Sequence, residues 1–417
     1  MSRLSPEPAA AAFGSVGAVA PAADRHHGLT LTAGLACIML IALNLRPAIV
    51  SMGPLLPAIR QEFHLSHTQA SLLTTIPDLL MGALALPTPW LARRFGRDRV
   101  VLAALVLLLL ATGGRILSGS VAALLFSTVG IGAGIAIAGA LIGGFIKQVF
   151  PDRTAFVMGL FAAALALGAT LAAGISGPLS DLTGSWRGGA GFWALLGIPA
   201  IAAWVHVEKR LSRNQSDVVR EPRRHALPFT NPKAWAIALF SAANNFLYYG
   251  IVSWVSPLYR EHGMGVMTAG FILASFTGTF IIANPIAGIF SRRPDRRALL
   301  AGFSAIAVVG LVVLAVAPNL APFVVMPVIS FGLGGGFVLS MTLPLDNARD
   351  VDEANAWSAF AMTVAYLIAA TGPLLVGALR DSTGGFGASL WLLVAVAIAM
   401  LALTPGLHPR QDRPTAI

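Results

Sequence analysis

Two charged side chains stand inside apolar sequence, where they would act away from water. Arg46 is the single charge in an apolar run from about residue 29 to 59, and Asp78 is the only acid well inside another such run. A guanidinium is a planar fork of donors that stays charged at every physiological pH, which suits the anionic or electron-rich end of a small solute. A carboxylate near it could bind and release a proton. The pair therefore indicates solute binding, with Asp78 as a candidate for proton coupling.

Polar side chains with matching spacing occur in a second region. At the i to i+4 spacing of a helix, Asn244 shares a face with Tyr248, and Asn245 shares one with Tyr249. We expect one of these pairs to face Arg46 and to hydrogen-bond a small polar solute while the rings enclose it. The alternative is hydrogen bonding between helices, which membrane proteins often use. The predicted binding set is completed by Asn44 and Tyr366.

The elements that carry these residues are membrane helices. Hydrophobic residues make up 56% of the chain, charged residues only 11%, and the mean hydropathy is +0.77, which excludes a soluble protein. Long apolar runs predict helices, because a membrane barrel would show alternating segments of about ten residues. We predict an all-α polytopic membrane protein with twelve transmembrane helices, at 29–59, 68–92, 99–119, 121–147, 154–180, 187–207, 233–258, 266–290, 298–317, 320–345, 355–379 and 386–406.

Loop charge predicts the orientation. The formal net charge is +10, but the basic residues sit in short loops, which is typical of membrane topology and not of nucleic-acid binding. The odd-numbered loops contain only Arg60, Arg187, Arg260 and Arg380, while most others lie in the tails and the even-numbered loops. Both termini should therefore be cytoplasmic, in the inner (plasma) membrane of a cell. Residues 1–28 and 408–417 are predicted as cytoplasmic tails, the first disordered.

The two halves of the chain repeat at an offset near 200. Residues 177–184 resemble 377–384, Arg93-Arg94 matches Arg292-Arg293, and glycines at 130, 132 and 134 are echoed at 332, 334 and 336. Three matches at one offset predict two pseudo-symmetric six-helix bundles, 29–207 and 233–407, joined by a cytoplasmic linker at 208–232. A substrate site is expected between them, at the middle of the membrane. The glycines themselves are interpreted as helix-packing positions.

Other interpretations of the buried charges stay open. Arg46 could reach an interface or bind helix-end carbonyls, and Asp78 could form a static salt bridge or face water in a cavity. Helix rise places the two at similar depth, so an Arg46–Asp78 pair is plausible. Arg115 is expected to reach lipid headgroups at the outer surface, with a gate as the alternative. The eight histidines suggest no metal or proton-relay site, and the one cysteine, Cys37, no disulfide.

The loop Leu91-Ala92-Arg93-Arg94-Phe95-Gly96-Arg97-Asp98-Arg99 resembles the cytoplasmic signature loop of the major facilitator superfamily. Arg93 stands where that loop has an acid, so the usual pairing is not transferred. Arg93, Arg94, Arg97, Arg292 and Arg293 are the expected gating residues. A resemblance to the cyanate and 2-nitroimidazole transporter branch is carried by Leu45-Arg46-Pro47, residues 72–77, residues 248–254 and Leu343-Pro344-Leu345-Asp346-Asn347. It implies a secondary transporter of small, anionic or planar polar solutes.

We therefore predict the major facilitator fold and a secondary active transporter of a small polar or anionic solute. We expect it to be a monomer that works by alternating access, with a proton as the candidate coupling ion. The first alternative is efflux of planar drugs such as nitroimidazoles. The second is a non-transporting membrane sensor, for which the tails are too short to carry a signalling domain. No phosphate-binding loop, nucleophile motif or paired carboxylates occur within the spans, so neither an enzyme nor a cofactor or metal site is expected.

Overall fold

The computed structural model describes residues 22–150, 154–211, 227–291, 295–347 and 351–408. This part of the chain is helical throughout, apart from turns and short connections. The α-helices are α1 (Ala22–Leu45), α2 (Pro47–Val50), α3 (Met52–Phe63), α4 (His67–Ala85), α5 (Thr88–Phe95), α6 (Arg97–Gly114), α7 (Val121–Val149), α8 (Thr154–Thr183), α9 (Trp186–Gly191), α10 (Gly197–Leu211), α11 (Pro232–Glu261), α12 (Val266–Phe290), α13 (Arg297–Val316), α14 (Pro322–Asn347), α15 (Val351–Ala369), α16 (Thr371–Thr383) and α17 (Gly387–Leu403).

The predicted membrane architecture is confirmed. Within the described residues, eleven helices or helix series are long and apolar enough to cross a membrane, and α4 with α5 gives a twelfth, bent by 62°. Each coincides with one predicted span. The helix of the first span begins at Ala22, earlier than the predicted position 29. Of the tails predicted at 1–28 and 408–417, residues 1–21 and 409–417 lie outside the described residues, as do residues 212–226 of the predicted linker 208–232.

Prolines divide the first span into three helices. Pro47 has no amide hydrogen, so the ladder of helical hydrogen bonds is interrupted and α1 ends at Leu45; Arg46 precedes α2 with φ −99° and ψ −33°, still within the right-handed helical region. The same proline leaves the Leu43 carbonyl without its helical donor. Helix α8 approaches this carbonyl through Gly168, where a Cβ atom would lie only 2.5 Å from the oxygen. The substrate-site candidate Arg46 thus stands at a fixed break.

The internal repeat is visible in the packing of glycines. Gly130 in the first half packs against α6, and Gly332 in the second half packs against α13, the equivalent helix. Likewise Gly132 packs against α4 and Gly334 against α12. Added Cβ atoms at these four positions would lie within 2.6 to 2.8 Å of the neighbouring helix, so the packing interpretation of the glycine repeat is confirmed.

Contacts between the halves also follow the repeat. Helix α4 packs on α15 and α16, and the equivalent helix α12 packs on α8. One cluster of buried apolar residues, from Cys37 to Val207, belongs to the first half alone, whereas a larger one includes residues of both halves. The halves meet closely near loops 63–67, 183–186, 261–266 and 383–387, which are predicted to lie outside the cell. We call this the outer end and the opposite one the inner end.

Candidate substrate site

Arg46 and Tyr249 meet between the two halves of the chain. The Arg46 guanidinium is half-buried, and its Nη1 donates a hydrogen bond of 2.5 Å to the Tyr249 hydroxyl oxygen on α11. The guanidinium carbon also lies 5.7 Å from the centre of the Tyr249 ring. Tyr249 is 2% exposed, so α11 fixes its position firmly. The sequence left open which pair, Asn244–Tyr248 or Asn245–Tyr249, would face Arg46, and Tyr249 is the residue that contacts it.

This contact leaves most of the hydrogen-bonding capacity of the two groups unused. A guanidinium carries five N–H donors, and the Tyr249 oxygen occupies a single one of them within the described chain. Tyr249 is the acceptor in this bond, and its own hydroxyl hydrogen, still available to donate, has no acceptor in the described ranges. The two side chains therefore present donors from opposite halves of the protein. Such a set favours a ligand that is rich in acceptor atoms.

An aromatic wall continues from Tyr249. The Tyr248 ring lies 5.2 Å from the Tyr249 ring and 4.8 Å from the Phe280 ring on α12, while Tyr366 on α15 lies 6.2 Å from Tyr249. Phe276 packs 5.7 Å from Tyr248. Phe276 and Phe280 were missed from the sequence, because an apolar ring in an apolar span carries no signal of its own. The predicted Tyr248, Tyr249 and Tyr366 are thus brought together.

A static salt bridge between Arg46 and Asp78, one of the alternatives that the sequence left open, is not formed. Asp78 on α4 is 0% exposed and interacts electrostatically with Arg46, but neither carboxylate oxygen has a hydrogen-bond partner in the described residues. Helix rise predicts a similar depth for the two residues but says nothing about the direction in which each helix turns them. A buried carboxylate without partners is costly when ionised, which makes this a place where a proton could be held.

The predicted asparagines have separate environments. Asn244 donates from Nδ2 to the Leu333 carbonyl on α14, at 3.0 Å, and so faces a neighbouring helix and not Arg46. This agrees with the alternative of interhelical hydrogen bonding. Asn245 is 5% exposed and shares the helix face of Tyr249. Asn44 lies near the break in the first span, 5% exposed, and its Nδ2 has no partner among the described residues.

The expectation that Arg115 reaches the lipid headgroups is wrong. Arg115 is 0% exposed, and its Nη1 donates to the Ala48 carbonyl at 2.5 Å. Its Nη2 makes a longer contact of 3.4 Å with the Thr128 hydroxyl. Ala48 belongs to the four-residue helix α2, which follows the break at Arg46. Arg115 follows the last residue of α6 and lies close enough to bind the Ala48 carbonyl. Arg115 therefore tethers the segment that carries Arg46.

The loops at the inner end are only partly described. Arg93 and Arg94 on α5 are exposed, and Arg94 lies over the Trp90 ring at 5.8 Å. Arg97 pairs with the adjacent Asp98 and lies over Phe145. Arg292 and Arg293 fall outside the described residues. Two ion pairs at the inner end were not predicted. Arg296 pairs with Asp346 at 2.7 Å. Arg297 pairs with Asp295, and the hydrogen bonds from Arg297 lower the pKa of the Asp295 carboxyl to about 2.

Histidine and aspartate form an unpredicted contact at the outer end. His67, at the start of α4, is 6% exposed and binds Asp381 at the end of α16. The sequence analysis predicted no metal or proton-relay site among the histidines and did not predict this contact. Asp381 lies within residues 377–384, which repeat residues 177–184, so the sequence drew attention to it. The sequence does not show that α4, which carries His67, packs against this segment.

Comparisons with known proteins agree with this architecture. The chain is 32% identical over 377 residues to an uncharacterized transporter, YycB, of Bacillus subtilis (strain 168), covering 88% of this chain and 92% of that protein. It is 34% identical over 354 residues to the cyanate transport protein CynX of Escherichia coli (strain K12), covering 84% and 91%. It is 31% identical over 379 residues to the 2-nitroimidazole transporter of the same organism, covering 88% and 92%.

The fold has solved counterparts. A bacterial homologue of the human lysosomal transporter Spinster, crystallised in an inward-facing and occupied conformation, superposes with a TM-score of 0.70 at 20% identity, covering 91% of this chain and 94% of that one. Residues 31–373 match the sequence profile of the Major Facilitator Superfamily. With relatives above 30% identity along most of its length, the chain belongs to the Major Facilitator Superfamily and is a membrane transporter, not an enzyme.

Proposed function

We propose that the protein is a secondary active transporter that binds a small anionic or strongly polar solute between Arg46 and Tyr249. The observation that carries the proposal is the contact between these two residues across the two halves, with most of its donors unused. The similarity to cyanate and 2-nitroimidazole transporters supports the same class of solute. Arginine suits the task because a guanidinium binds planar anions with two parallel hydrogen bonds.

Transport would proceed by alternating access of two bundles, 29–207 and 233–407. The close contacts at the outer end and the equivalent helix pairs α4–α16 and α12–α8 support this division. We place the protein in the inner membrane as a monomer, with both termini in the cytoplasm.

Uptake of an anion needs a coupled cation or an exchange. Against an inside-negative potential, one negative charge costs about 2.3 kcal/mol per 100 mV to import. Asp78 is the candidate proton carrier, because its carboxylate is fully buried, lacks described partners and senses the charge of Arg46. If so, uptake by Asp78→Asn should no longer respond to an imposed pH gradient in proteoliposomes. A response equal to that of the wild type would remove Asp78 from the coupling mechanism.

The central test uses counterflow in proteoliposomes with cyanate, nitrate and 2-nitroimidazole as probes. Arg46→Gln should abolish uptake, and Arg46→Lys should retain a small part of it, because an ammonium keeps the charge but not the planar fork. Arg260→Gln, which removes an exposed arginine at the outer end, is the control and should transport normally. Normal uptake by Arg46→Gln would refute the proposed site.

The aromatic wall favours a second candidate, the export of planar heterocycles. Tyr248, Tyr249, Tyr366, Phe276 and Phe280 offer stacking surfaces beside Arg46. The same counterflow assay separates the two functions. An anion site should discriminate by charge at constant size, whereas a stacking site should accept neutral heterocycles and lose them when Tyr248 is replaced by leucine.

A further inference from the structure

A network of hydrogen bonds joins the two halves at the outer end. Both oxygens of Asp381, at the end of α16, bind the first turn of α4. Oδ1 accepts from the His67 backbone amide at 2.9 Å, and Oδ2 accepts from the Thr68 amide at 2.8 Å and from the Thr68 hydroxyl at 2.6 Å. The carboxylate thus satisfies amides that a helix start leaves free and lies where the helix dipole favours negative charge. We call this contact the outer latch.

The imidazole of His67 completes the latch and must be neutral to do so. Its Nδ1 lies 2.7 Å from Oδ1 of Asp381, which can only accept, so Nδ1 carries the hydrogen. Its Nε2 lies 2.6 Å from Nη1 of Arg60 on α3, which can only donate. Nε2 must therefore present its lone pair. A second proton on the ring would bring an N–H group against the N–H of Arg60.

The charges around His67 balance when it is neutral. The groups that face it are Arg60 from α3, Glu261 from α11, and Arg380 and Asp381 from α16. Glu261 lies 3.4 Å from Nε2 and is also bound by Arg380 at 3.1 Å. Two positive and two negative charges thus surround the ring. Protonation of the ring would add a positive charge that no further negative charge balances. Water reaches the latch, because the Asp381 side chain is 28% exposed.

Among the described residues, the repeat-related contact on the other side of the molecule contains no equivalent of His67. Gly377 packs on His67, and the equivalent Gly177 packs on Val266, the first residue of α12. Asp181, the equivalent of Asp381, is exposed. One of the two outer contacts between the halves is therefore polar and titratable, while its counterpart is apolar. The titratable group is specific to the α4–α16 contact.

We propose that His67 is a proton-binding site at the outer end, and that a proton bound there opposes closure of the outer latch. The open end would bind the proton from the outer solution, and the latch would close only after its release. External acid would therefore hold the transporter open toward the outside. The proposal concerns the conformation and stands apart from the identity of the solute, so it can fail while the proposed transport function survives.

The test measures the distance across the outer end by electron–electron double resonance. Spin labels are placed at Gly119 of the first half and Asn319 of the second, both exposed in outer loops, after Cys37→Ala removes the buried native thiol. Purified protein in lipid nanodiscs is titrated from about pH 8 to about pH 5.5, where an imidazole changes its charge. The ratio of closed to open molecules should fall by up to tenfold per pH unit, the limit for one proton.

Three variants make the result decisive. His67→Gln keeps a donor for Asp381 and an acceptor for Arg60, so it should stay closed over the whole pH range. Asp381→Asn should be more open than the wild type at every pH, and the matched control Asp181→Asn should behave like the wild type. A pH response that persists in His67→Gln, or a wild type whose distances do not change with pH, would overturn the proposal.

Discussion

Closure of the outer end depends on glycines at which the two halves touch, and Gly377→Ala should force this contact apart. A Cβ atom at position 377 would lie 2.8 Å from the His67 carbonyl oxygen and 2.8 Å from Cζ2 of Trp254. Ordinary contact begins at 3.4 Å, so α16 and α4 would have to separate by about 0.6 Å. Neither neighbour yields easily, because one is backbone and Trp254 is held by its hydrogen bond to the Pro373 carbonyl.

The expected magnitude follows from the cost of overpacking. An extra methyl group in a well-packed contact costs about 1 to 3 kcal/mol. The clash with the His67 carbonyl lies between the halves and therefore applies only to the closed conformation, whereas Trp254 belongs to the same half as Gly377, so the cost of that contact is present in both conformations and cancels. The gain in helix propensity from glycine to alanine is present in both conformations and cancels. The ratio of closed to open molecules should therefore fall by roughly 5-fold to 150-fold. The distance between labels at positions 119 and 319 reports this ratio directly.

Gly302→Ala is the matched control, since nothing lies within 4 Å of a Cβ atom at that position of α13. It should leave the distance distribution unchanged and raise the melting temperature slightly through helix propensity. If Gly377→Ala gave the distance distribution of the wild type, the close contact between α16 and α4 would not limit opening. The explanation of outer closure by packing would then be wrong.

Two further substitutions test the substrate site. Tyr249→Phe removes the hydroxyl that Arg46 binds, and hydrogen bonds to charged groups contribute about 1.5 to 3 kcal/mol. The affinity for an anionic solute, measured by calorimetry, should therefore fall by roughly 10-fold to 100-fold. An unchanged affinity would exclude the hydroxyl from solute binding. Arg115→Met removes a fully buried charge that no carboxylate compensates within the described residues, so the melting temperature should be unchanged or higher although the Ala48 carbonyl loses this donor. Its uptake should nevertheless fall, because α2 loses its tether, and Arg115→Lys should restore part of it.

The membrane architecture is predictable from sequence because each span is a local feature. A run of about 20 apolar residues specifies a crossing helix whatever lies next to it. The break at Arg46 was equally local, since Pro47 fixes it. The repeat of glycines also had a definite structural meaning, because positions such as Gly132 and Gly334 contact equivalent helices.

The site is less predictable because it depends on how each helix is rotated. Sequence places Asp78 and Arg46 at similar depth, yet rotation decides that they do not form a salt bridge. Depth likewise brings Arg115 near the outer surface, but the Ala48 carbonyl that binds it is exposed by the break in another helix. His67 shows the same limit, since its partner Asp381 lies more than three hundred positions away in the chain.

The first span connects the substrate site to the outer latch. Arg46 stands at its break, and Arg60, which donates to His67, ends the same span on α3 about 21 Å further along the helix axis. A ligand that draws Arg46 toward Tyr249 acts on the segment that also positions Arg60. If ligand binding favours the closed latch, linkage requires that the closed latch favours ligand binding by the same factor. Protons at His67 would then weaken solute binding at Arg46 without touching the solute.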